Sequence, residues 1–147
     1  MIYFDTSALI KRFVTEKGTP WVRSTVVRDA PIATAKIAYS EIFAGLARKL
    51  RERQISQSLH ALACRQFERD WRSYIQVELR DEVLYQARDL IQRHPLRGFD
   101  AVHLASALML RNELDEQVTF AAADRRLLQA AGTENLVAIN VEDAQVA

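Results

Sequence analysis

The stretch that most constrains the fold is the opening Met1–Phe13, MIYFDTSALIKRF. Ile2-Tyr3-Phe4 is a run of β-branched and aromatic residues, which favour the pleated conformation. It stops at Asp5 and turns at once into a helical pattern. Thr6 and Ser7 are predicted to cap that helix, since their hydroxyls accept from the free amides of a first turn. Asp5 is thereby expected at the carboxyl end of a central strand, where open α/β sheets gather their ligand sites. Taken alone, it passes equally well for a simple helix cap.

The same alternation runs down the chain. A short helix is predicted over Ala8–Val14, with Gly18 ending the turn. Thr19-Pro20 opens the next helix with a capping hydroxyl and a proline in its first turn, and Trp21, Val22, Thr25 and Val26 follow at helical spacing. Pro31–Thr34 reads as a short strand, then a long helix runs from Lys36 to Arg53. Ile55–Trp71 is amphipathic, with Ser56 as its cap and Leu59, Leu62, Ala63, Phe67 and Trp71 at three- and four-residue steps. Ser73–Leu79 alternates weakly, as a strand does. Asp81–His94 is helical until Pro95 forces a stop. Gly98-Phe99-Asp100 leads into Ala101–Arg111, apolar almost all round and so expected to be buried. Val118–Ala122 is a strand, Asp124–Ala131 a helix that Gly132 stops, and Leu136–Val141 the last strand. Strands alternating with helices predict a three-layer α/β/α domain around a largely parallel sheet, one domain over residues 1–147.

Composition narrows the partners. The net charge is +1, so any nucleic-acid surface has to be local. The one cysteine, Cys64, excludes an internal disulfide and a cysteine-built zinc cage, and its helical setting suggests a small core or boundary residue. Ala101–Leu110, the most apolar run, is too short to span a bilayer. With a strand expected from residue 2 and no basic leader before it, a cytoplasmic protein with no membrane contact is the expectation.

Four acids stand in unusual settings. Glu41 projects from a small, apolar helix face made by Ile37, Ala38, Ala44 and Gly45. A carboxylate is almost never buried unpaired, so Glu41 either serves a site, or is paired by Lys11 or an arginine, or sits on a helix rotated to expose it. Asp100 begins the most apolar helix, and His103, three residues on, is expected to support it. Asp124 repeats the strand–acid–helix construction of Asp5, which places both acids on the same side of a parallel sheet. Should the four converge, their repulsion would raise some of their pKa values unless a cation sat among them. Oxygen-only ligands suit Mg²⁺ or Mn²⁺ and not zinc. An acidic cup holding such ions suits phosphodiester hydrolysis.

These residues match a family pattern. Ile2–Ser7 (IYFDTS), Ser40-Glu41 on its helix, Arg97–Ala107 (RGFDAVHLASA) and Phe120–Leu128 (FAAADRRLL), in this order and spacing, resemble the PIN-domain ribonucleases, and within them the VapC-type toxins of toxin–antitoxin pairs. The resemblance implies that Asp5, Glu41, Asp100 and Asp124 are the catalytic and metal-binding quartet. Asp5 and Asp100 would be the most direct ligands, and Ser7 (or Thr6) would supply the hydroxyl that orients Asp5. It further implies Mg²⁺- or Mn²⁺-dependent endonucleolytic cleavage of RNA, a homodimer and a VapB-type antitoxin partner. Lys11, Arg12, Arg48, Lys49, Arg51 and Arg53 are the cations expected to meet RNA phosphates. Trp21 and the apolar face of the 56–71 helix are candidates for dimer or antitoxin contacts, although core packing accounts for them as well. Two other readings stay open: a catalytically silent RNA- or protein-binding module whose acids are caps, and a phosphatase with Asp5 as nucleophile. The second ordinarily wants another acid two residues on, where this chain has Ser7.

Overall fold

The computed structural model describes residues 1–28 and 30–146. Strands β1 (Ile2–Phe4), β2 (Ile32–Ala35), β3 (Ile75–Val77), β4 (Thr119–Ala122) and β5 (Val137–Asn140) form one sheet in the order β3-β2-β1-β4-β5. Every neighbouring pair is parallel, so each connection must cross over a face, and helices supply the crossings.

The strands alternate between two cores, as the two-residue period of a pleat requires. Tyr3, Ala33, Ala35, Phe120 and Ala122 face one side. There they meet α5 (Asp81–Arg93), α6 (Gly98–Leu114) and α7 (Arg125–Thr133) through Leu90, Leu104 and Leu127. Phe4, Ile32 and Ala121 face the other side. Their partners are α1 (Thr6–Leu9), α2 (Thr19–Val27), α3 (Ala38–Arg51) and α4 (Gln57–Trp71), through Leu9, Val22, Ile42 and Phe67. The result is the expected three layers. Among the described residues no helix is long and apolar enough to cross a membrane.

Several boundaries move, each for a local reason. The helix expected over Ala8–Val14 is two pieces, α1 and a 3₁₀ turn at Ile10–Arg12. Its cap is neither Thr6 nor Ser7 but Asp5, which accepts from the Ala8 amide at 3.0 Å. Helix α6 starts at Gly98, which puts Asp100 inside its first turn. Gly132 does not stop α7; the reversal comes at Asn135, whose φ is 68°, a left-handed conformation that asparagine tolerates. Strand β3 keeps only the middle of the Ser73–Leu79 stretch.

Two glycines hold the site-bearing elements close. Gly18 has φ 95°, and a Cβ there would lie 2.9 Å from the Val141 carbonyl oxygen. A Cβ on Gly45 would lie 2.7 Å from Ile10 Cδ1, so α3 rides directly on the turn after α1.

Candidate active site

The sheet order decides where the site is. Going from β1 the chain builds outward through β2 and β3, then returns to lay β4 on the other side of β1. The crevice at the carboxyl ends of β1 and β4 is thus the point where strand order reverses, the place where open sheets bind ligands. The register pairs Phe4 with Ala121, and the Asp5 amide carries the ladder one residue further by donating to the Ala121 carbonyl at 3.1 Å. Ser7 clasps the two strand ends together. Its hydroxyl accepts from the Ala123 amide at 3.1 Å and shares its hydrogen with the Asp5 oxygens, 2.7 and 2.9 Å away.

Asp5 is only 3% exposed. Burial pushes its carboxyl up to about 6, against the pull of His103, the Ser7 hydroxyl and the Ala8 amide, and the nearby Asp100 adds to the rise. Asp100 is raised as well, by partial burial and by Asp124, with Arg97 opposing. Asp124 caps α7, accepting from the Leu127 amide at 3.1 Å. Arg97, at the N-cap of α6, lies 3.4 Å from Asp100 and 3.6 Å from Asp124 and is 85% exposed.

Glu41 is held differently. Its Oε1 accepts from the Thr6 hydroxyl and from His103 Nε2, each at 2.8 Å. Its partner is therefore neither Lys11 nor an arginine but a histidine 62 positions away. A carboxylate only accepts, so Nε2 donates to Glu41, and the other ring nitrogen, Nδ1, is hydrogen-bonded to the Tyr3 hydroxyl at 2.8 Å. Tyr3 and His103 are both buried. Burial pushes Glu41 up, but His103 and Thr6 outweigh it, and the carboxyl ends below its ordinary range. Tyr3 read from sequence as one more apolar strand residue. The usable signal was that a buried tyrosine hydroxyl needs a partner.

All four acids line one cleft of about 1260 Å³, together with Thr6, Ser7 and His103. Among the described residues no three His, Cys, Asp or Glu side chains stand close enough to cage an ion unaided. That still fits Mg²⁺, which takes one or two carboxylates and keeps several waters. Asp5 and Asp100 are all-oxygen donors, each raised first by burial and further by a neighbouring acid, so a hard divalent cation beside them would offset both effects. The site does not resemble that of an aspartyl nucleophile: the residue two positions on is Ser7, and its hydroxyl is spent on Asp5 itself.

The six cations expected to meet RNA divide. Lys11 is 4% exposed and pairs with Glu16 at 3.0 Å and Glu142 at 3.1 Å. Lys49 pairs with Glu16 at 2.8 Å. Arg12 pairs with Asp70 at 3.1 Å, away from the cleft, and Arg53 also lies outside it. Lys11 and Lys49 line the cleft with their charge paired to Glu16 and Glu142, whereas Arg12 and Arg53 do not line it. Arg48 and Arg51 line the cleft. Trp21 packs on Phe4, ring centroids 6.3 Å apart. On α4, Phe67 is buried while Leu59 and Leu62 stay exposed. Cys64 is half-buried on the same helix.

Comparison with known proteins gives the same direction throughout. The PIN domain family matches residues 2–133. Ribonuclease VapC45 of Mycobacterium tuberculosis (strain CDC 1551 / Oshkosh) is 37% identical over 127 residues, 86% of each chain. Ribonuclease VapC49 of the H37Rv strain gives the same figures, 37% over 127 residues. Among solved structures, a toxin–antitoxin complex from Klebsiella pneumoniae superposes with a TM-score of 0.66 at 15% identity, covering 96% of this chain and 98% of that one. FitAB bound to an IR36 DNA fragment gives 0.68 at 16% identity, covering 99% of both. At such identity the structural likeness speaks for the fold. With the family matched from β1 through α7, this chain belongs to the PIN-domain family.

Proposed function

We propose that the chain works as one PIN domain, an endoribonuclease that depends on Mg²⁺ or Mn²⁺ and serves as the toxin of a toxin–antitoxin pair. The observation that carries this reading is the cleft in which buried Asp5, its carboxyl pushed up to about 6, faces Asp100 and Asp124. Like charges gathered this way destabilise a fold unless their purpose is to meet a cation. The relatives named ribonuclease VapC supply the substrate class.

In this reading Asp5 and Asp100 would hold the ion, with Glu41 and Asp124 completing the cup through a second ion or bound water. The bound ion would polarise a phosphoryl oxygen and acidify an attacking water. Water adds to phosphorus, the P–O bond breaks, and the departing oxygen takes up a proton. Ser7 keeps both Asp5 oxygens aimed into the cleft. Tyr3, through His103, keeps Glu41 in one orientation. Arg48 and Arg51 meet backbone phosphates. The same reading takes the protein to be cytoplasmic, with a cognate VapB-type antitoxin as its inhibitor. We infer a homodimer from the kinship with VapC ribonucleases.

The test is a cleavage assay on RNA with Mg²⁺, Mn²⁺ or EDTA, alongside Asp5→Asn and Asp100→Asn proteins whose folding is checked by circular dichroism. Cleavage that needs the ion and disappears in both folded variants is expected. Cleavage that persists in EDTA, or in either variant, would overturn the reading.

A further inference from the structure

A second groove, of about 430 Å³, adjoins the large cleft and shares Arg97, Asp100 and Asp124 with it. Pro95 and Leu96, ahead of α6, and Arg125 and Arg126, at the start of α7, complete its lining. Nothing in the roles assigned above uses it.

The two arginines on α7 break a local rule. They occupy the first two positions of the helix, directly after the Asp124 cap. That is the positive end of the helix dipole, where a cation is disfavoured. Both are exposed, and neither forms an ion pair among the described residues. By contrast, Arg80 just before α5 and Arg93 at its end each reach a glutamate within 2.7 Å. Violations of local preference without a structural return concentrate at functional positions.

Their placement relative to the acids gives the purpose. Arg48 and Arg51 line the large cleft and not the groove, Arg125 and Arg126 line the groove and not the cleft, and the Asp100–Asp124 pair lines both. Arg97 lines both cavities and touches both acids. A cup with cations in one cavity suits a chain end. Cations in both cavities suit a strand that enters and leaves.

We propose that the groove between Pro95–Arg97 and Arg125–Arg126 is the second arm of a single-stranded RNA path, holding phosphates on the opposite side of the scissile bond from those met by Arg48 and Arg51. This rests on the ribonuclease reading, and its failure is separable from failure of that reading.

The probe is a fluorescent single-stranded RNA oligomer, with binding to the Asp5→Asn protein followed by anisotropy across a salt series. Adding Arg125→Ala and Arg126→Ala removes two cations, and so does the control pair Arg65→Ala and Arg69→Ala on the exposed side of α4. Each lost phosphate contact lowers the slope of log affinity against log salt by about 0.7 for a single strand. The groove double variant is thus expected to lose up to about 1.4 in slope, against no change in the control. With Asp5 restored, KM for a long RNA should rise while kcat holds. An unchanged slope and KM, in a parent that binds and cuts RNA, overturns the groove alone. The same loss in both double variants also overturns it, since net charge and not position would then be responsible. A parent that neither binds nor cuts RNA overturns the function with it.

Discussion

Two charged clusters line the same cleft and are built on opposite principles. On the α3 side, Lys11, Lys49, Glu16 and Glu142 alternate in sign, with contacts of 2.8 to 3.1 Å. Burial would push Glu16 up, but Lys49 and Lys11 more than cancel it, and its carboxyl ends below the ordinary range. At the ends of β1 and β4 and the start of α6, Asp5, Asp124 and Asp100 have one sign, and the only cation touching them among the described residues is Arg97, itself 85% exposed. Compensated charges hold elements together; uncompensated ones hold a place for something else. That difference, more than the count of acids, separates scaffold from site.

The largest effect should come from removing the like charge at its most buried point. Asp5→Asn is expected to abolish cleavage and yet to stabilise the metal-free protein near neutrality. A carboxyl raised from 3.8 to about 6 in the fold contributes stability below pH 4 that is lost as pH rises through 6. The full swing is about 3 kcal/mol. Denaturant titrations at pH 4 and pH 7.5 in EDTA should show the variant gaining on its parent only at the higher pH. Equal gain at both would mean that Asp5 is not the strained group.

Metal should reverse that cost. At a concentration 100 times its Kd, Mg²⁺ or Mn²⁺ would stabilise by about 2.7 kcal/mol. The melting shift should be large at pH 7.5 and small at pH 5, where Asp5 is mostly protonated. It should vanish in Asp5→Asn. A shift equal at both pH values would break the contrast between the two clusters.

The compensated cluster predicts the opposite pattern. Lys11→Met should cost about 2 kcal/mol, less than a fully buried pair because Glu16 and Glu142 keep partial hydration. Cleavage at 25 °C should survive. A cleavage defect without a stability loss would move Lys11 into the site.

The smallest effect sharpens the link from Tyr3 to Glu41. Tyr3→Phe removes one buried hydroxyl that bonds His103, a loss of about 1 kcal/mol. It leaves the Glu41 contact at His103 Nε2 in place and strips Nδ1 of its partner. Nitrogen NMR of the His103 ring should show the Nδ1 signal shifting while Nε2 holds, with metal affinity falling up to about tenfold. An unaltered His103 spectrum would leave Tyr3 as packing only.

Local chemistry was legible in the sequence. Strand period and capping act within a turn or two. So Ile2–Phe4 and Val118–Ala122 announced themselves, each followed by an acid, and the parallel three-layer class followed from the alternation. The family likeness pointed to the same four acids. What stayed hidden was every relation spanning the chain. The position of β4 beside β1, which makes Asp5 and Asp124 neighbours across one crevice, follows from the strand order. Tyr3 meets a histidine 100 positions away, and Lys11 turns inward to Glu142 131 positions away. By itself the sequence determined which residues end strands, cap helices and alternate between faces, because those preferences are settled by a residue and its near neighbours. Only the tertiary structure decided which charges are cancelled and which are left standing, because compensation depends on packing between elements that meet only in the folded chain.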